Sequence, residues 1–189
     1  EMMGMLAGLA QEWLGVLQMA KKLGKVVLVT AAEEGWVEST CSRFLPSLCT
    51  AIFGPKSWIS LVYAVKFGKW SSALQNKQAA FRALVQQHVA LTPPPPGRLI
   101  SVLSIGDSDY EKLALQHTVR TMPMVWGKCV KLTRSPAAWW LQKEVEAVRR
   151  CLEDVVSHEG TAEWTLEPTM PVSVVAGSAS AKVEAQLAV

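Results

Sequence analysis

Three polar residues stand where phosphate chemistry could use them. Thr30 ends the apolar run KVVLVT, Lys77 lies early in the helical stretch NKQAAFRALVQQHVA, and Asp107 follows a glycine in LISVLSIGDSDYE. A threonine hydroxyl and the amides behind it can hydrogen-bond a phosphoryl oxygen, and a lysine can neutralise phosphate charge as a point cation. Carboxylates presented after a glycine turn can hold Mg²⁺, which prefers oxygen ligands. The residue types therefore predict a phosphate site that could take a magnesium ion.

Alternating strands and helices are expected to position these residues. Continuous apolar and β-branched runs predict strands over 25–30, 57–65, 99–109 and 128–133. Helical spacing predicts helices over 2–22, 37–52, 76–90, 109–118 and 136–158, with a break or kink at Pro46. This order predicts an α/β domain, a Rossmann-like parallel sheet with helices on both faces.

Ligands of such sheets bind beyond the carboxyl ends of the strands. We therefore expect Thr30 and Asp107 to open onto one crevice, at the ends of two interior strands. The domain is predicted to span residues 1–158. Everything after Glu159 reads as loop, so 159–189 is predicted to be a C-terminal extension, either a flexible tail or a docking strand.

Composition narrows the classes of function. Half of the residues are hydrophobic, eight are tryptophan and mean hydropathy is +0.19, so a protein partner is expected. The net charge of +3 is spread along the chain, without the basic stripe of a nucleic-acid-binding protein. The four cysteines form no CxxC pair, which argues against zinc and a disulfide framework. Free thiols indicate a reducing intracellular compartment, cytoplasmic or organellar.

The first helix is apolar enough to raise the question of a membrane span. Gln11, Glu12 and Gln18 interrupt it, and Gln11, Gln18 and Lys22 fall on one helical stripe. This pattern predicts a mostly buried amphipathic helix rather than a membrane span.

The joint pattern resembles the haloacid dehalogenase-like (HAD-like) superfamily. In that superfamily motif II is a Thr or Ser after a strand, motif III is a Lys, and motif IV is Gly-Asp followed by an acid. The resemblance assigns motif II to Thr30 and motif III to Lys77. It assigns motif IV to Gly106, Asp107 and Glu111, with the two carboxylates as magnesium ligands.

A narrower similarity is to an uncharacterised algal and protist group of HAD-like proteins that share a pattern close to T-N-A-x-x-G-W-V-E-x-S. The matching blocks here are VTAAEEGWVESTCSRFLP, NKQAAF and SIGDSDYEKLAL, and the similarity spans about Lys25 to Pro168. This chain departs from the pattern at Ala31, where the group has Asn, and at Asn76, where it has Trp. We expect Trp36 of the GWVES block to be a packing anchor.

The main departure is motif I, the D-x-D that supplies the phosphoryl acceptor and a general acid/base in the family. The aspartates of this chain are Asp107, Asp109 and Asp154. DSD at 107–109 has the spacing but follows Thr30 and Lys77 along the chain, so it does not correspond to motif I. The resemblance places motif I on a central strand ahead of the first helix. We expect that this strand either lies upstream of Glu1 or has been lost.

Loss of a central strand would open a gap in the sheet and leave two rows of unpaired backbone groups. Upstream residues of the same protein are the first candidate to fill such a gap, and the tail segment VSVV (172–175) is the second.

Two functions stay open from the sequence. One is a catalytically inactive HAD-like protein that acts as a structural or accessory subunit of a larger assembly and needs no cofactor. The other is a Mg²⁺-dependent HAD-like phosphatase, without a large cap, whose nucleophile lies upstream of Glu1; capless relatives tend to act on macromolecules. Partner contacts are expected at residues 2–20, at Trp139 or Trp140, and in the tail after Pro171.

Overall fold

The computed structural model describes residues 2–68 and 72–166, together with the backbone of 174–176. The helices are α1 (Met2–Leu23), α2 (Trp36–Phe44), α3 (Pro46–Phe53), α4 (Ala73–Leu91), α5 (Asp109–Thr121) and α6 (Ala138–Ser157). The strands are β1 (Val27–Thr30), β2 (Ser60–Tyr63), β3 (Ile100–Gly106), β4 (Val125–Lys131), β5 (Ala162–Leu166) and β6 (Val174–Ala176). A short 3₁₀ helix at Ala64–Phe67 follows β2.

The strands form two hydrogen-bonded ladders. In one, β1 pairs with β2 in parallel. In the other, β3, β4 and β5 pair in parallel and β6 adds an antiparallel edge. The predicted α/β class, with parallel strands flanked by helices in a Rossmann-like manner, is confirmed. The prediction that the strands ending at Thr30 and Gly106 are interior is wrong for the described residues, because each borders a single hydrogen-bonded neighbour.

Both ladders point their carboxyl ends toward the start of α4. The 3₁₀ helix that follows β2 packs against α4, and Lys77 near the start of α4 meets Glu111 just past the end of β3. Toward the other end of α4, His88 lies beside Lys25 and Ser101, at the amino ends of β1 and β3. Lys25 precedes β1 and Ser101 is the second residue of β3, so the amino ends of both strands lie beside His88 and the two strands run in the same direction.

Helix α1 joins the two halves of the core. On one side, Leu9 and Val16 pack with α6 and with buried residues of β4 and β5. On the other side, Ala10 and Leu17 pack with Cys41 of α2 and with the buried face of α3. This agrees with the amphipathic helix predicted from the sequence. None of the helices in the described ranges combines the length and apolarity needed to cross a membrane.

The predictions for Pro46 and for the chain after Glu159 have different outcomes. The predicted break at Pro46 is confirmed, since α2 ends at Phe44 and α3 begins at Pro46. The loop predicted after Glu159 is wrong in its first part, because β5 pairs in parallel with β4 and extends the sheet. The tail residues Val174–Ala176 pair antiparallel with β5 at the far edge of the sheet, so these residues do not fill a central gap. The remainder of the tail lies outside the described residues.

Candidate functional site

The centre of the candidate site is an ion pair between Lys77 and Glu111. Lys77 lies in the first part of α4, and its Nζ contacts Oε1 of Glu111, with exposed side-chain fractions of 7% and 14%. Burial lowers the pKa of Lys77, and the nearby carboxylate of Asp107 acts in the opposite direction. The structure therefore brings together three of the residues proposed from the sequence.

The second carboxylate oxygen of Glu111 caps helix α5. Oε2 of Glu111 accepts a hydrogen bond from the Ser108 amide at 3.0 Å, and the Ser108 hydroxyl accepts one from the Tyr110 amide at 3.1 Å. This reciprocal capping box satisfies amide groups at the start of the helix. Both oxygens of Glu111 are therefore engaged by protein groups.

This engagement bears on the magnesium ion that the resemblance implies. Asp107 is exposed and presents a carboxylate past the end of β3, which suits one position in a magnesium site. Glu111 does not suit a second position while Lys77 and Ser108 hold its oxygens. Within the described ranges, no three His, Cys, Asp or Glu side chains are grouped to hold a metal ion. The described residues alone therefore do not fit a magnesium centre.

The Asp107 loop is held by the neighbouring strand. Lys131, at the end of β4, donates a hydrogen bond to the backbone oxygen of Asp107 and lies 3.4 Å from Oδ1 of Asp109. The amide of Leu132 donates to the oxygen of Gly106 at 2.9 Å. The sequence analysis did not identify Lys131. Its place beside the Asp107 loop follows from the parallel register of β3 and β4, which sets Lys131 opposite Gly106.

Gly106 allows Glu111 to approach the end of β3. A Cβ atom added at Gly106 would lie 2.7 Å from Cγ of Glu111, closer than real Cβ contacts allow. The glycine of the Gly-Asp pair thus has a steric role, which is to leave room for the side chain that pairs with Lys77.

Thr30 lies at the carboxyl end of β1 and is half-buried. Its hydroxyl oxygen accepts a hydrogen bond from the Ala32 amide at 3.1 Å, which shapes the turn after the strand. This hydrogen bond is local and does not join Thr30 to the Lys77–Glu111 pair. The shared direction of β1 and β3 nevertheless sets Thr30 and Asp107 at the same edge of the molecule.

The GWVES block forms a second polar cluster at that edge, around Tyr63 at the end of β2. The Tyr63 hydroxyl accepts a hydrogen bond from the Gly35 amide at 3.0 Å and donates one to the carboxylate of Glu38. Gly35 has a φ of +86°, a left-handed conformation that favours glycine. The hydrogen bond from Tyr63 is the main reason that the pKa of Glu38 is lowered. The sequence analysis did not identify Tyr63, because nothing in the GWVES block indicates which distant residue forms hydrogen bonds with Gly35 and Glu38.

The tryptophans near the site differ in exposure. Trp36 is 58% exposed, so the prediction that it is a packing anchor is wrong. In the Trp139–Trp140 pair, where a partner contact is expected, one residue is exposed and the other is partly buried. Trp139 is 53% exposed, whereas Trp140 is half-buried and donates its Nε1–H to the Thr133 hydroxyl at 3.3 Å.

Comparison of the chain with protein-family models, with curated proteins and with solved structures found no match. The site is therefore interpreted from its own geometry. That geometry is a buried lysine paired with a capping glutamate, with an exposed aspartate beside them at the carboxyl ends of parallel strands.

Proposed function

We propose that this chain is a HAD-like α/β protein that does not itself catalyse phosphoryl transfer and serves as a structural or accessory subunit of a larger protein assembly. The observation that carries the proposal is the mutual pairing of the polar groups at the site. Lys77 and the Ser108 amide take both oxygens of Glu111, and the Thr30 hydroxyl is used in its own turn. The carboxylate of Glu111 is thus held by the fold rather than presented to a ligand, and the Thr30 hydroxyl oxygen helps to shape its own turn.

The aspartates support the same proposal. Covalent phosphoryl transfer needs an activated nucleophile. Asp107 and Asp109 follow β3, where the resemblance places the metal-binding motif, and Asp154 lies near the end of α6. None of the three occupies the strand position from which the family's nucleophile acts.

Exposed apolar side chains support a protein partner. Trp36 and Trp139 are more than half exposed, and Met2 and Met3 at the start of α1 are 63% and 62% exposed. Aromatic and methionine side chains are enriched at protein interfaces relative to other surface. Three of these four residues fall where partner contacts are expected from the sequence: Met2 and Met3 in the first helix, and Trp139 in the tryptophan pair.

A phosphatase assay tests the catalytic half of the proposal. Residues 1–189 are expected to hydrolyse p-nitrophenyl phosphate no faster with Mg²⁺ than buffer does. Asp107→Asn serves as the matched control, because it removes the exposed carboxylate next to Lys77 without changing its size. Magnesium-dependent turnover that Asp107→Asn abolishes would overturn the proposal.

Light scattering after size-exclusion chromatography tests the assembly half. The natively purified protein is expected to elute with a mass above that of its own polypeptide, which denaturing mass spectrometry gives; residues 1–189 alone have a mass of 20.6 kDa. Trp139→Ser and Trp36→Ser each replace an exposed indole, so loss of the larger species in either variant would locate the contact. A stable, monodisperse species from native material with the mass of a single polypeptide would defeat this half.

The second candidate is a Mg²⁺-dependent HAD-like phosphatase whose nucleophile is supplied from upstream of Glu1. The burial of Lys77 beside Asp107 favours it, because a desolvated lysine next to a carboxylate is typical of functional sites. In a protein that includes the upstream residues, this candidate predicts turnover that both Lys77→Met and Asp107→Asn abolish. Turnover that survives both substitutions would remove the candidate.

A further inference from the structure

Two cysteines flank the break between α2 and α3. Leu45, which separates the two helices, has a φ of −136° and a ψ of 57°, so it is not helical and the helices are not continuous. Cys41 lies one turn before Leu45 and Cys49 lies one turn after it. In a continuous helix two such residues would lie about 12 Å apart along the axis. The break is therefore what allows their side chains to approach each other.

Both cysteines bond to the same backbone atom. The amide of Cys49 donates a hydrogen bond to the carbonyl oxygen of Leu45 at 2.9 Å. The thiol of Cys41 donates to that oxygen as well, at 3.7 Å. Both cysteine side chains also belong to the apolar cluster that α2 and α3 form against Ala10 and Leu17 of α1. The two thiols thus lie on the same side of the break.

The two thiols differ in exposure. Cys41 is buried, whereas Cys49 is half-buried. The pKa of Cys41 is raised to about 11, chiefly by burial and in smaller part by the neighbouring thiol of Cys49. Cys49 is therefore the thiol that a small molecule in solution reaches first, and Cys41 lies behind it.

The other two cysteines are placed differently. Cys129 lies on the face of β4 that α5 covers, in a small cleft that Leu115 also lines. Cys151 of α6 packs with Val130 in the cluster on the opposite face of the same strand. Because β4 lies between them, Cys129 and Cys151 do not form a second pair.

We propose that Cys41 and Cys49 are a dithiol site that a small-molecule disulfide, such as oxidised glutathione, converts to a reversible intramolecular disulfide. A disulfide needs Cα atoms no more than about 7 Å apart, which a continuous helix forbids and a break between helices permits. The new bond would join α2 to α3 and fix the angle at which the two helices meet. In a reducing compartment such a bond is transient, as in redox sensing. The proposal rests on this break and not on the phosphate site, so it is independent of the proposed function.

The reaction balances as two thiol–disulfide exchanges. The thiolate of Cys49 attacks one sulfur of oxidised glutathione, a bond forms between these sulfurs, and the other glutathione leaves as a thiolate. Cys41 then gives up its proton, and its sulfur attacks Sγ of Cys49 and releases the second glutathione. The two cysteines lose two protons and two electrons in total, and the glutathione disulfide takes them up as two thiols.

Equilibrium with glutathione tests whether the fold holds the two sulfurs together. Residues 1–189 are incubated at set ratios of reduced to oxidised glutathione, quenched with acid, blocked with N-ethylmaleimide and digested with trypsin without reductant. Trypsin cleaves after Lys25, Arg43 and Lys56, so the disulfide joins peptide 26–43 to peptide 44–56. The equilibrium constant for this cross-link is expected to be at least about tenfold larger in the native chain than in concentrated urea, because the unfolded chain does not keep the thiols side by side.

Three variants separate the roles of the thiols. Cys41→Ser is expected to stop at the mixed disulfide between Cys49 and glutathione, because no second thiol resolves it. Cys49→Ser is expected to leave Cys41 unmodified in the native chain, because Cys41 is buried. Cys151→Ala is the matched control, since it removes a buried thiol elsewhere in the core and should leave the equilibrium constant of the cross-link unchanged.

Two outcomes would overturn the proposal. An equilibrium constant that is no larger in the native chain than in urea would show that the fold does not hold the two sulfurs within bonding reach. Links from Cys49 to Cys129 or Cys151 that are as abundant as the link to Cys41 would show that the exchange reports unfolded chain.

Discussion

The ammonium group of Lys77 and the carboxylate of Glu111 form an ion pair with exposed fractions of only 7% and 14%. Removing one partner of a buried pair leaves the other charge uncompensated, at a cost of about 3–5 kcal/mol. We expect Lys77→Met to lower the free energy of unfolding by about this amount, measured by urea denaturation. The double variant Lys77→Met/Glu111→Gln should recover part of the loss, because no buried charge is left.

The surface pair of Lys66 and Glu34 provides the control. Its side chains are 55% and 68% exposed, so Lys66→Met should cost no more than about 1 kcal/mol. Equal losses for Lys77→Met and Lys66→Met would contradict the buried character of the first pair.

A methyl group at Gly106 should disturb the same pair. We expect Gly106→Ala to destabilise the fold by about 1–3 kcal/mol, because the added Cβ overlaps Cγ of Glu111 and the neighbouring strand limits relaxation. Thermal denaturation measures the effect. In Gly4→Ala, where the added Cβ has no neighbour within 4 Å, stability should stay the same or rise by up to about 1 kcal/mol. A Gly106→Ala protein as stable as Gly4→Ala would contradict the steric role.

Removing the hydroxyl of Tyr63 should loosen the GWVES turn. In Tyr63→Phe the Gly35 amide loses its acceptor and the Glu38 carboxylate loses its donor, so the pKa of Glu38 should rise toward its ordinary value. A lowered carboxyl pKa stabilises the fold above the unfolded-state value and stops doing so as pH falls. The loss in Tm should therefore be larger at pH 7 than below a pH of about 4.

An NMR titration of Glu38 and melting curves at the two pH values check this. Tyr110→Phe is the matched control, because Tyr110 is 45% exposed and its substitution should change neither quantity. An unchanged pKa of Glu38 in Tyr63→Phe would refute the hydrogen bond as its cause.

Buried thiols should make the fold sensitive to alkaline pH. Burial raises the pKa values of Cys41 and Cys129 from 9.0 to about 11. Between these values the unfolded chain releases protons that the folded chain keeps, so the free energy of unfolding falls as pH rises. A difference of about two pKa units per thiol corresponds to at most about 3 kcal/mol each.

Urea denaturation at several pH values from 8 to 11 measures the slope. Cys129→Ala should lower stability at pH 8, through lost packing, yet show a shallower decline above pH 9 than the parent chain. Parallel declines in the two proteins would show that Cys129 does not contribute.

The residues of the candidate site differ in how far the sequence alone could predict their role. Asp107 could be placed at the site from the order of strands and helices, whereas Lys77 is proposed for its charge early in a helix and Glu111 through the HAD-like resemblance alone. Lys131 and Tyr63 could not, because their roles depend on which strands are neighbours and on how far a side chain reaches across the ladder.

The strands show the same difference between what the local sequence predicts and what depends on distant contacts. The run that forms β1 is apolar enough to predict a strand, but its half-burial depends on what lies beside it. The segment AEWTL of β5 alternates polar and apolar residues over a short length, and the edge of β4 decides that it becomes a strand. Local patterns thus specify individual elements, whereas pairing is set by contacts between distant parts of the chain.

Recessed strand edges also bear on solubility. An edge strand that another sheet can reach is a template for aggregation. Among the described strands, the edges of β1 and β3 that have no strand partner face each other between α1 and α6 on one side and α4 on the other, where a second folded sheet has no room to align. A single extended segment is narrow enough to enter. The helical walls therefore protect the chain from edge-to-edge aggregation, while leaving it open to unfolded apolar polypeptide.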